Sequence, residues 1–286
     1  MKKKIWILNH HANSMYFDMG GRHYSFAKYL KRAGYEPTIF CSNAEHGSGK
    51  TYFGDVDIAQ EHMAEKIGVP FVFIKGKGYI NNGIKRVLCM LEYYINIKKY
   101  AKKYAKINGK PDVIIASSVH PLACVAGIKL ARKFKVPCIT EIRDLWPESI
   151  VAYNVTTSKN LFIKGLYRLE KWIYTKADAI IFTMGGGKDY IREKRWDTAN
   201  GGRINLNKIY YINNGVDLES FDKNKSEYQI SDEDLENEEI IKVVYVGSIR
   251  HANNVGVLLD IAKEVDSSIK FLIWGDGDEA DYLKGR

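Results

Sequence analysis

From residue 4 to residue 212, short runs of β-branched and aromatic residues alternate with longer amphipathic ones. That alternation limits the fold more than any other feature of the chain. It predicts strands over 4–8, 38–41, 71–74, 113–116, 138–142, 179–183 and 208–212, and helices over 22–33, 84–106, 123–134, 159–175 and 189–195. Strands apolar on both faces, each followed by a helix, belong to a mostly parallel sheet with helices packed on either side. The fold class is therefore α/β, doubly wound. After Asn213-Asn214-Gly215-Val216-Asp217 the pattern breaks. The expectation is a first domain over 1–219, an acidic exposed linker over 220–239 and a second βαβ unit over 240–286, with strands at 242–246 and 270–274 around a helix at 254–265. That second unit has 47 residues, few for an independent α/β domain, so it reads as a domain cut off partway.

Charge narrows the partners. The formal net charge is +9, yet residues 223–239 alone carry −5, which leaves +14 on the rest. Such an excess favours anionic partners, namely phosphorylated substrates, a membrane surface or nucleic acid. No recognised nucleic-acid motif is present, so that partner is not expected. No stretch approaches about 18 consecutive apolar residues. The apolar run at 5–8 that follows Met1-Lys2-Lys3-Lys4 is too short for a signal peptide, and a cytoplasmic protein is expected. Cys41, Cys89, Cys124 and Cys138 show no C-x-x-C spacing, which predicts reduced, buried thiols and neither a zinc site nor a redox pair.

Several motifs sit at strand ends, where open parallel sheets gather ligands. Gly20-Gly21-Arg22 opens a helix after the first strand and suits either an anion at a helix N-terminus or a plain turn. It is not G-x-G-x-x-G, which argues against a dinucleotide enzyme. Gly49-Lys50-Thr51 resembles the end of a phosphate loop, but its first glycine would fall on Ala44. Asp276-Gly277-Asp278 fits a turn better than a metal-binding acid pair. Glu141, Arg143, Asp144 and Glu148 crowd the end of the fifth strand. Charges so placed must pair or bind something, and the choice lies between a ligand site and a structural Arg–Asp pair. His120 is expected on the same rim. The segment 84–106 interleaves Lys98, Lys99, Lys102, Lys103 and other cations with tyrosines. This suits a membrane-surface helix or an ordinary solvated face.

Taken together, Gly20-Gly21-Arg22, Arg143-Asp144-Leu145-Trp146-Pro147-Glu148-Ser149, Leu169-Glu170-Lys171-Trp172, Asn213-Asn214-Gly215-Val216-Asp217, Tyr245-Val246-Gly247-Ser248 and Trp274-Gly275-Asp276-Gly277 resemble the GT-B glycosyltransferases of family 4. The branch they most resemble builds O-antigen and capsular polysaccharides and includes L-fucosamine transferase-like enzymes. The resemblance covers essentially the whole chain. It implies two Rossmann-like domains and transfer of a sugar from a UDP- or GDP-linked donor to a polyprenyl-diphosphate-linked glycan, with retention of configuration and without a metal, at the inner face of the membrane. It also implies roles: Arg143, Asp144 and His120 at the reacting sugar, Gly20, Gly21 and Arg22 near the donor diphosphate, and Gly247, Ser248 and Arg250 on the nucleotide side. Relatives carry Arg and Lys where this chain has Ser248 and Asn253, so Arg250 would have to substitute. The family's paired donor-binding glutamates would fall beyond Arg286. Two rival readings are a membrane-associated binding module and a nucleotide-sugar epimerase or hydrolase of the same fold.

Overall fold

The computed structural model describes residues 2–80, 83–118, 120–152, 157 and 159–286; Met1, named above, lies outside them. The chain forms two compact units, Met1–Gly215 and Val216–Arg286. The first unit runs β1 (Lys4–Leu8), α1 (Asn13–Phe17), α2 (Arg22–Arg32), β2 (Glu36–Ser42), β3 (Ala59–Ala64), β4 (Val69–Ile74), α3 (Ile84–Asn108), β5 (Val113–Ser118), α4 (Pro121–Phe134), β6 (Cys138–Ile142), α5 (Glu148–Ala152), α6 (Leu161–Lys176), β7 (Ala179–Phe182), α7 (Gly187–Glu193) and β8 (Ile209–Tyr211). Its eight strands lie in the order β3-β4-β2-β1-β5-β6-β7-β8. All pairs are parallel except β3 with β4.

Side chains alternate faces along a strand, and here both faces are buried. Trp6 and Leu8 of β1, Phe40 of β2, Val72 and Ile74 of β4 and Ile114 of β5 join the core beneath α3, α4 and α6. Their neighbours Ile5, Ile7, Ile39, Cys41, Phe71, Phe73 and Ile115 face α2. This is why the strands read as near-continuous apolar runs. All four cysteines are free and buried. Burial pushes the Cys41 and Cys124 thiols well up, so they stay protonated packing groups.

β3 escapes the sequence pattern because Ala59-Gln60-Glu61-His62-Met63-Ala64 has no β-branched residue. Its backbone pairing with β4 supplies what side-chain preference does not, and its polar groups suit a sheet edge. The helices α1 and α5 span five residues each, too few to show a period. Gly49-Lys50-Thr51 leads into no helix; Thr51 bridges Ala44 in antiparallel fashion and Gly49 has φ +76°, so the segment is a turn.

The second unit contains α8 (Leu218–Glu227), α9 (Glu233–Glu236), β9 (Ile241–Val246), α10 (Gly256–Glu264), β10 (Ile269–Trp274) and α11 (Ala280–Lys284). The segment read as a linker thus holds two short helices, each started by an aspartate cap. Asp217 accepts from the Ser220 N–H and Asp232 from the N–H groups of Asp234 and Leu235. β9 and β10 pair in parallel, and Ile249, Val255 and Ala280 form a small core on them. Gly275 and Gly277 have no room for a Cβ, which would collide with the carbonyl oxygens of Gly247 and Ile249. That close backbone approach accounts for the Gly-Asp-Gly turn.

Candidate active site

Strand order reverses direction between β1 and β5: from β1 the chain builds outward through β2 and β4, then returns to add β5 to β8. Crevices form at such switch points, beyond the carboxyl ends of the strands. A cleft of about 470 Å³ opens there. His11, Asn13, Ser14 and Met15 line it from the segment after β1, Glu45, His46 and Tyr52 from the segment after β2, and Arg143 and Asp144 from the end of β6.

The four charged residues at the end of β6 separate into two kinds. Glu141 is fully buried and saturated. The Arg22 Nε donates to its Oε1 at 2.7 Å, while His23 Nε2 and the Ser117 hydroxyl donate to its Oε2 at 2.8 and 2.7 Å. Burial alone raises the Glu141 carboxyl, but the hydrogen bonds from His23 and Ser117 and the Arg22 charge outweigh it and hold the group at about 2. Asn9 fixes the imidazole behind this knot. Its Oδ1 accepts the His11 backbone N–H, so its Nδ2 donates to His23 Nδ1, and His23 Nε2 carries the proton given to Glu141. Glu148 is also bound, accepting from Lys194 Nζ at 2.6 Å and the Tyr167 hydroxyl at 2.7 Å. Arg143 and Asp144 instead face the cleft and make no ion pair with each other or with any other described residue. The structural Arg–Asp pair allowed by the sequence is therefore not formed.

Arg22 does not offer its guanidinium to a diphosphate. Besides Glu141 it donates from Nη1 to the Asn213 carbonyl and Asn214 Oδ1, and from Nη2 to the Ile212 carbonyl, at 2.7, 3.3 and 2.9 Å. Four of the donor contacts of a planar five-donor fork are thus spent on the protein. The arginine clamps the Asn-Asn-Gly segment to the sheet. Gly21 begins α2 with φ +92°, and no side chain caps that helix end among the described residues. The first-turn N–H groups beside Met15 are left for an anion or for solvent. Gly20 has an ordinary backbone and room for a side chain.

His120 is not on the rim. As N-cap of α4 it packs edge-on against Tyr93 and His10 and is fully buried, because α4 begins immediately after it and carries the loop down onto α3. Its Nε2 lies 2.7 Å from His10 Nδ1, and His10 Nε2 lies 3.7 Å from the Cys89 sulfur. His11 stacks on His10, with ring centroids 4.7 Å apart at 26°, and reaches His46 at 4.9 Å. Both ring nitrogens of His11 are buried with no hydrogen-bond partner among the described residues. Burial, with the nearby charges of His46, Arg86 and Arg143, pushes the His11 ring down to about 3; burial with His11 and Arg86 does the same for His120. These rings are neutral at pH 7. Sequence reasoning missed His10, His11, Glu45, His46 and Tyr52. The one available signal was a histidine pair directly after a central parallel strand. Among the described residues no group of three or more His, Cys, Asp and Glu is placed to hold a metal ion.

In the second unit Ser248 and Arg250 are exposed. The Gly247 N–H bonds the Trp274 carbonyl, while Ser248 offers its carbonyl to Tyr245 and Asn253. Asn253 therefore stabilises its own loop. On α3 the aromatic rings expected to face a membrane turn inward: Tyr93 and Tyr104 are core residues. What α3 exposes is an apolar stripe, Ile84, Val87, Leu88, Leu91 and Ile95, followed by the exposed Lys99, Lys102 and Lys103, while Lys98 lies over the Tyr94 ring at 4.0 Å.

The same architecture recurs in solved structures. HepE of Anabaena in complex with UDP superposes with a TM-score of 0.56 at 13% identity, covering 100% of this chain and 64% of that one. An α,α-trehalose-phosphate synthase (UDP-forming) of Burkholderia vietnamiensis gives 0.60 at 12%, covering 100% and 66%. The lipopolysaccharide outer core galactosyltransferase WaaB in its apo form gives 0.50 at 15%, covering 99% and 63%. The chain thus spans 63–66% of the length of these structures. No curated protein sequence matches it. The fold is of the GT-B type, and the sequence model of Glycosyltransferase Family 4 matches residues 22–220, from the arginine of the clamp past the Asn-Asn-Gly segment it holds: the chain belongs to Glycosyltransferase Family 4.

Proposed function

We propose that the protein moves a sugar from a nucleoside-diphosphate donor to a lipid-linked or growing surface glycan, with retention of configuration. The observation that carries this reading is the strand-end cleft of a family 4 domain in which Arg143 and Asp144 make no ion pair among the described residues while Glu141 and Glu148 are bound. Negative charge develops on the departing diphosphate as the glycosidic bond breaks, and preorganised donors lower that barrier. We assign the uncapped start of α2 at Gly20 and Gly21 to the diphosphate, Arg143 and Asp144 to the reacting sugar, and Gly247, Ser248 and Arg250 to the nucleotide side. His120 supports the site from below through His10. No metal takes part in this scheme. Solved structures of HepE with UDP and with UDP-glucose and the lipopolysaccharide role in the name of WaaB favour a UDP-linked donor and a surface-glycan acceptor of the O-antigen or capsular kind.

A polyprenyl-linked acceptor calls for contact with the cytoplasmic leaflet. No helix among the described residues is long and apolar enough to cross a membrane. The exposed stripe of α3, with Ile84 80% and Leu88 56% accessible, and the lysines after it suit shallow insertion beside anionic headgroups. That stripe also favours a second reading, a membrane-binding module without turnover. Offering the full-length protein a panel of UDP- and GDP-sugars with anionic vesicles decides between them. Donor consumption supports the transferase; salt-sensitive vesicle binding with no donor bound or consumed leaves the module.

A further inference from the structure

The last residue pair of the first unit, Asn214-Gly215, carries a chemistry that the cleft does not use. An asparagine followed by glycine is prone to cyclise: the glycine nitrogen reaches the side-chain amide carbon, and no Cβ stands in the way. Such pairs occur at 82–83, 108–109, 200–201 and 214–215. Asn82 lies outside the described residues, and the pairs at 108 and 200 are held. Asn108 ends α3 on helical backbone. At Asn200 the side-chain nitrogen donates to Asp197 Oδ1 at 2.9 Å, and the Gly201 N–H bonds the Thr198 carbonyl at 3.3 Å.

Asn214 and Gly215 are both exposed, in the stretch between β8 and α8 that belongs to no helix or strand. Neither the Gly215 N–H nor Asn214 Nδ2 makes a hydrogen bond among the described residues, so nucleophile and leaving group are both free. The carbonyl between them is engaged: Arg22 Nη1 donates to Asn214 Oδ1 at 3.3 Å. Arginine has donors only, which fixes the oxygen towards it and the amide nitrogen away. The same guanidinium is held by Glu141 Oε1 and by the carbonyls of Ile212 and Asn213, so its charge is already in place. There it polarises the amide and stabilises the negative charge that Oδ1 gains when the carbon is attacked.

We infer that Asn214 is a self-modification site of this chain, deamidating through a cyclic imide with the Arg22 guanidinium stabilising the developing oxyanion. The Gly215 nitrogen bonds to Asn214 Cγ as the Cγ–Nδ2 bond breaks. The proton of the Gly215 N–H ends on the departing nitrogen, which leaves as ammonia. Water, the one co-reactant, then opens the imide at either of its carbonyls to give aspartate or isoaspartate. Both products put a new carboxylate beside the guanidinium that already serves Glu141. Isoaspartate also lengthens the main chain by one methylene, directly before Val216 begins the second unit.

The test incubates the full-length protein at neutral pH in ¹⁸O-labelled water and follows conversion of amide to acid at each asparagine by peptide mass spectrometry. A free peptide of residues 210–218 runs alongside as the clock. Asn214 should convert ahead of Asn108 and Asn200, with isoaspartate among its products. Gly215→Ala, whose Cβ meets nothing within 4 Å, keeps the fold and should slow conversion. Arg22→Lys keeps a cation beside Glu141 but loses the fork, and should slow it about tenfold. A merely structural clamp predicts the opposite for Arg22→Lys, since a loosened segment reacts faster. The inference is overturned if Asn214 stays intact over the time in which the peptide converts, or if Asn108 or Asn200 converts first. It is also overturned if Gly215→Ala reacts as wild type does, or if Arg22→Lys reacts as fast or faster.

Discussion

The two halves of the β6 strand end differ by three residues in sequence and completely in how their charges are treated. At Glu141 every oxygen is taken, by Arg22, His23 and Ser117. At Arg143 and Asp144 no ion pair is made among the described residues, and both line a cleft. The first arrangement is how a fold tolerates a buried charge; the second is how it keeps one available. Density of charge in the sequence marks a strand end as unusual but does not say which kind it is. Only the partners do.

The largest effect should come from breaking the saturated half. Glu141→Ala leaves the Arg22 guanidinium buried, with a side chain 5% exposed, and should cost about 3–5 kcal/mol in chemical denaturation. It should also free the Asn-Asn-Gly segment, read as faster amide exchange at 212–214. Acid sharpens the same point. Because the folded-state value of Glu141, about 2, lies below its ordinary 4.5, its stabilisation is complete above pH 4.5 and is lost as pH falls from there through 2. Wild type should lose on the order of 3 kcal/mol in that window from this group, and Glu141→Ala should lose correspondingly less.

A second buried carboxyl group behaves oppositely. Glu170 accepts from the Tyr174 and Tyr190 hydroxyls at 2.7 and 2.8 Å, yet burial outweighs those bonds and raises it to about 8. Its folded form binds a proton that the unfolded form releases near 4.5, so its stabilisation is present at low pH and fades as pH rises through 8. Melting temperatures of wild type and Glu170→Gln should therefore shift in favour of the variant between pH 5 and 9; a constant difference would contradict this. The smallest effect lies at the surface. Leu88→Glu on the exposed α3 stripe should leave stability within about 0.5 kcal/mol while lowering partition onto anionic vesicles several-fold.

Much of this was legible in the sequence. Both-face burial made β1, β2, β4 and β5 read as strands, and the strand-end position singled out Glu141, Arg143, Asp144 and His120. What could not be read was pairing across long separations. Arg22 reaches Glu141 across 119 residues and Asn213 across 191, so an arginine in a glycine-rich turn looked like a phosphate ligand when it is a clamp. His120 looked exposed because nothing local shows that α4 starts at once and drives it against His10. The Glu45, His46 and Tyr52 wall lies in a stretch without periodicity, where Gly49-Lys50-Thr51 was the more conspicuous signal. β3 was invisible because its partner, not its composition, makes it a strand.

The claim that the open half is where chemistry happens has one direct test. The full-length protein and its Arg143→Ala and Asp144→Ala variants are compared for nucleotide-sugar turnover and for thermal melting. The account expects turnover to fall by about 10²-fold or more with melting within a few degrees of wild type. Turnover retained, or lost only in step with a melting drop like that of Glu141→Ala, would contradict it.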